Sequence, residues 1–148
     1  MRRTIFAATL VAGTLDILAA VVLTLIYGRE PAAMLRTVAS GPFPQATEWG
    51  IAGSLLGLAV HFALMTIMVT LFVIAARHRP AILDRPLLAG TIYGLVTYVA
   101  MNLIVVPLRF GGFPPKPINI ATQTFCHIVL VGIPIALIAA RSLRQTRR

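Results

Sequence analysis

Four apolar stretches fill most of this chain, Thr4–Tyr27, Gly50–Ala76, Pro86–Phe110 and Ile118–Ala140. Each reaches the roughly 20 residues that a helix needs to cross a hydrocarbon core. Charged residues make up only 11% of the chain, against about 25% in an ordinary soluble domain, so no separate soluble domain is expected. The sequence predicts an all-α protein, a four-helix transmembrane bundle forming one integral membrane domain over residues 1–148. Met1-Arg2-Arg3 ahead of an apolar run resembles a secretory signal. The run is longer than a signal's apolar core and contains Asp16, so a retained first helix is expected.

The net charge is +9, a value that invites a nucleic-acid reading. The basic residues lie at the ends of the apolar segments rather than along one soluble face, so membrane topology accounts for them and no nucleic-acid partner is expected. If the helices alternate, Arg2, Arg3, Arg77, Arg79, Arg85, Arg141, Arg144, Arg147 and Arg148 share one side. Arg29, Arg36, Arg109 and Lys116 fall on the other. Short cytoplasmic loops are enriched in Lys and Arg, which predicts both termini on the cytoplasmic side.

Between the first two segments, Pro31 suits a first helical turn and Gly41-Pro42 a stop, so a short helix is predicted over 31–40. Met34, Leu35 and Val38 turn away from Arg36, as in a helix lying in the interface. It serves either as an anchor or as a lid over the bundle, and Trp49 follows it at the depth of an aromatic belt. The run Gly111-Gly112-Phe113-Pro114-Pro115-Lys116-Pro117 must be a stiff turned loop.

Lipid supplies no hydrophobic drive for helix association, so spanning helices meet through small residues. Gly53 and Gly57 in the second segment, and Gly90 and Gly94 in the third, supply such faces. Continued at helical spacing, these faces carry His61 in one helix and Tyr98 and Asn102 in the other. In the first segment Thr9, Gly13, Asp16 and Ala20 form a stripe, and in the fourth Asn119, Gln123 and His127 do. At about 1.5 Å per residue, Asp16 and His61 lie about 16 Å from the loop end and Asn102 and His127 about 12–14 Å. The four form a candidate polar layer, able to hold a ligand or a proton. A charged Asp in hydrocarbon costs at least about 2.5–3.5 kcal/mol, so it must be neutral, paired or hydrated, and His61 is the first partner to name. Pro107 and Pro134 should leave the carbonyls of Leu103 and Leu130 without their helical donors.

The chain contains no HExxH, GxSxG, phosphate-binding loop or dinucleotide fingerprint, so no enzymatic chemistry and no cofactor is expected. Two histidines on different helices leave axial haem ligation open, and with Asp16 a two-His, one-Asp metal site, but no CxxCH is present. Cys126 stands alone and reads as a small packing residue. Gly13-Thr14-Leu15 is similar to Gly90-Thr91-Ile92, and the Ile-Ala-Ala-Arg that ends the second segment recurs at the end of the fourth, a faint sign of parallel duplication.

Several short motifs together resemble a group of small, uncharacterised bacterial inner-membrane proteins: Gly13-Thr14-Leu15-Asp16, Ala39-Ser40-Gly41, Leu56-Gly57 with His61-Phe62, Tyr93-Gly94 with Tyr98 and Met101-Asn102, Val106-Pro107-Leu108, and His127 with Gly132-Ile133-Pro134-Ile135-Ala136. The resemblance runs over nearly the whole chain. It implies a four-helix protein of the bacterial inner membrane and carries no assigned activity and no catalytic residues. Three expectations follow. One is a small proton- or solute-handling bundle in the lipid bilayer, working as a homo-oligomer because one chain is too small to enclose a pathway. Another is an accessory or assembly subunit of a larger membrane-protein complex. The third is a membrane enzyme or haem carrier, ranked last.

Overall fold

The computed structural model describes residues 1–145; Arg147 and Arg148, counted in the charge pattern above, lie outside them. The described residues are all-helical, with no strand. Four helices are long and apolar enough to cross a membrane: Arg2–Ile26, Gly50–His78, Pro86–Phe110 and Pro117–Arg144, here the first to fourth spans. By length and composition the chain is a multi-pass membrane protein. The exposed faces agree, with Phe6, Ile51, Leu87 and Leu108 among the large apolar side chains directed outward.

The fourth span packs against the first and third, and the second packs against the first. The core lies in the terminal half, the one that holds Thr4 and Arg144, where Ala8 and Ala12 of the first span meet Met65, Val69, Phe72 and Val73 of the second and Val131, Ile135, Ala136 and Ala139 of the fourth. Small residues on the outer spans let the backbones approach, and branched residues fill the centre. Thr4 Oγ1 lies 2.6 Å from Ser142 Oγ, tying the first span to the fourth at this end. The Arg144 guanidinium donates to the Leu83 carbonyl of the 3₁₀ turn Pro80–Leu83. Residues near positions 4, 83 and 144 therefore share one end of the bundle, and the long first connection and the 110–117 loop share the other.

The helix Pro31–Ser40 forms with the expected bounds, Pro31 in its first turn. Its packing partner is the glycine face of the second span. A side-chain carbon at Gly57 would collide with the Leu35 carbonyl, and one at Gly53 with the Ala46 carbonyl. Ser54 Oγ donates to the Ala32 carbonyl at 3.0 Å. Gly57 thus receives this loop helix, and Gly53 the 3₁₀ turn Pro44–Glu48 that follows it, rather than another span. Gly90 and Gly94 do receive a span: a carbon built on Gly90 would stand 2.6 Å from Ile133 Cα, and one on Gly94 2.6 Å from Ile128 Cα. Gly132 sits opposite both, its own added carbon 2.6 Å from Gly94 N.

Both prolines change the helices around them differently from a simple loss of one donor. The third span widens into a π-helical stretch over Val99–Val105 and the fourth over Cys126–Gly132. In each, the N–H just before the proline reaches back five residues, Val106 to Met101 and Ile133 to Ile128. A proline ring clashes with the carbonyl four residues earlier, and widening the turn removes the clash. Asn102 lies in one π-stretch and His127 in the other.

Candidate functional site

Gly13, with no side chain, lets the second span bring His61 and Phe62 against the first: an added carbon there would stand 2.7 Å from the Phe62 ring. His61 Nε2 lies 2.9 Å from the Gly13 carbonyl oxygen. A carbonyl accepts, so Nε2 carries a hydrogen. The other ring nitrogen, Nδ1, faces Asp16 Oδ2 at 3.9 Å, with the His61 side chain 11% exposed and that of Asp16 25%. A single proton placed on this couple has two positions open to it. On Nδ1 it makes an imidazolium facing a carboxylate; on Asp16 it makes a carboxylic acid facing a neutral imidazole. Both arrangements are neutral overall, and a neutral couple costs less in hydrocarbon than a bare carboxylate.

His127 is held on both ring nitrogens. The Thr97 hydroxyl donates to the Gly94 carbonyl at 2.9 Å, so at 3.0 Å it accepts from His127 Nδ1. Nε2 then accepts from the Asn102 amide nitrogen, also at 3.0 Å. The chain of bonds from Asn102 through His127 and Thr97 to Gly94 fixes a neutral imidazole in one tautomer. The Tyr98 ring stands edge-on to His127 with centroids 6.1 Å apart.

The four expected layer residues thus form two couples, Asp16 with His61 and Asn102 with His127. No hydrogen bond or ion pair among the described residues joins one couple to the other. Gln123, on the stripe that pointed to His127, makes no side-chain hydrogen bond among the described residues. Thr97 was not singled out by the sequence, although it lies one turn from Gly94 on the face that Gly90 and Gly94 mark. Gly132 likewise entered only through a motif, and its packing role needs the facing glycines to be seen. Thr9 Oγ1, on the Asp16 face of the first span, is the one fully buried side-chain polar atom among the described residues without a hydrogen-bond partner. No three His, Cys, Asp or Glu side chains among the described residues come close enough to hold a metal ion, Asp16, His61 and His127 included. Compared with protein-family models, curated proteins and solved structures, the chain matches none.

Proposed function

We propose that this protein is a small proton- or solute-handling bundle of the bacterial inner membrane, with both termini cytoplasmic and the Asp16–His61 couple as its exchange site. The observation that carries the reading is the facing of Asp16 Oδ2 and His61 Nδ1 at 3.9 Å on two different spans, with His61 Nε2 committed to the Gly13 carbonyl. A couple that holds one proton in either of two neutral forms can take it from one side and release it to the other. Thr9 supports a path toward the terminal end: it lies two turns from Asp16, about 10 Å along the helix, and its unpartnered hydroxyl suits a water. The basic residues at the terminal end support the orientation. An ionisable pair within spanning helices is by default a functional candidate, and a homo-oligomer would enclose what one chain leaves open.

A second reading, an accessory subunit of a larger membrane complex, is favoured by His127. Both of its nitrogens are satisfied by side chains that lock the third span to the fourth, a packing role. The deciding experiment reconstitutes the purified protein in liposomes enclosing a pH-sensitive dye, with a potassium diffusion potential as the driving force. The parent should change internal pH faster than empty liposomes, and Asp16→Asn should return the rate to that of empty liposomes. Equal rates for parent and variant, or for parent and empty liposomes, would leave the accessory reading in its place.

A further inference from the structure

The second and third spans touch where the Tyr93 hydroxyl donates to the Met68 carbonyl at 2.6 Å and the Tyr93 ring meets Phe72 with centroids 5.0 Å apart. Toward the loop-helix end they part, and a cavity of about 510 Å³ opens between them. Val60 and Leu64 form one wall, Met101 and Val105 the other, and Val38 from the loop helix closes the end. Pockets of about 300–1,000 Å³ accept whole organic molecules. The groove reaches the surface, since Val105 remains 47% exposed, so in a bilayer it faces acyl chains rather than water. An apolar void there would forfeit its dispersion contacts unless a chain filled it.

Arg109 stands at the rim. Its Nε donates to the Gly41 carbonyl at 2.9 Å and Nη2 to the Ser40 carbonyl at 2.7 Å. A guanidinium carries five N–H donors, so three remain, both of those on Nη1 among them. Arg109 forms no ion pair among the described residues, whereas neighbouring Arg36 lies 3.7 Å from Glu30. The geometry points to a binding site for one anionic phospholipid, an acyl chain between the second and third spans and the phosphate on the remaining N–H groups of Arg109. The cavity of about 530 Å³ between the same spans at the terminal end differs in charge: its rim holds both Asp84 and Arg85, which gives an anionic headgroup no preference. This site is independent of the Asp16–His61 couple.

The test is native mass spectrometry of the protein in a neutral detergent, titrated with phosphatidylglycerol and phosphatidylcholine of matched chains. The parent should retain one lipid and prefer phosphatidylglycerol by about fivefold, the effect of one basic residue on an anionic headgroup. Arg109→Gln should abolish the preference while leaving phosphatidylcholine binding unchanged. Val105→Trp, which fills the groove and keeps Arg109, should weaken both lipids about tenfold, and its unchanged melting temperature would show that it folds. No preference in the parent, a preference that survives Arg109→Gln, or undiminished binding to Val105→Trp would overturn the proposal. Displacement of the lipid by millimolar inorganic phosphate would overturn its acyl half.

Discussion

Asn102 and His127 meet at 3.0 Å from within the π-helical stretches of adjacent spans, each stretch ending two residues before a proline. Widening a helix rotates the residues that follow and re-aims the side chains within it. The bond therefore joins the two places where the third and fourth spans depart from regular geometry.

Removing one partner leaves the other unsatisfied in an apolar surrounding. Asn102→Ala and His127→Ala should each lower stability, and a double-mutant cycle should show coupling of about 0.6 kcal/mol, the average for interhelical hydrogen bonds in membranes, and no more than about 1.7 kcal/mol, the largest value found for one. Unfolding of the purified variants in mixed micelles measures it. Zero coupling would mean that the two side chains do not bond in a bilayer.

The glycine faces should respond differently to the same change. Gly94→Leu and Gly132→Leu force apart two spans whose backbones touch, and should destroy the detergent-stable fold. Gly57→Leu pushes only against the loop helix. It should leave the four spans intact while limited proteolysis within 28–49 accelerates. Equal loss of fold in all three variants would show that the loop helix is as essential as a span.

For Asp16 the two functional readings predict opposite signs. A carboxyl kept for proton exchange is held at a cost to stability, so Asp16→Asn, unable to ionise, should be as stable as the parent or more so. If Asp16 were glue, the same change should cost about 1 kcal/mol or more. Thermal unfolding in detergent separates these outcomes.

Topology can be read by labelling. A cysteine at Arg79 or Arg144 should be protected from an impermeant thiol reagent in intact cells, and one at Lys116 should react. Cys126 is buried and should stay silent as background. Labelling at position 144 from outside would invert the orientation.

The spans were legible because lipid imposes length and apolarity on every residue within them. The expected 86–110 and 31–40 match the helices observed, and the other spans differ at their ends by four residues or fewer. The terminal shifts arise where polar residues such as Arg77 and His78 continue a helix beyond the apolar run. The facing of Asp16 and His61 was also legible, since depth and face both follow from helical spacing. Partner choice was not. Gly53 and Gly57 announce a close approach without saying to what, and a short turn and a ten-residue helix of the first connection satisfy them as well as a span does. Thr97 was hidden because a threonine on an apolar helix ordinarily bonds its own backbone, which it also does here; only the neighbouring histidine gives it a second role. The π-stretches were hinted at by Pro107 and Pro134, but the number of residues each would widen depends on the packing beneath.

The fourth span touches both the first and the third, whereas the second and third meet over little more than Tyr93, Met68 and Phe72. Insertion proceeds from the N-terminus, so the order of emergence matters. When the first three spans have entered the bilayer, the first and second can pair, but the third has almost nothing to hold. Its glycines Gly90 and Gly94 remain open until the last segment arrives. The third span thus gains its packing partner only with the final helix, and a chain ending before Pro117 would leave Gly90 and Gly94 facing lipid.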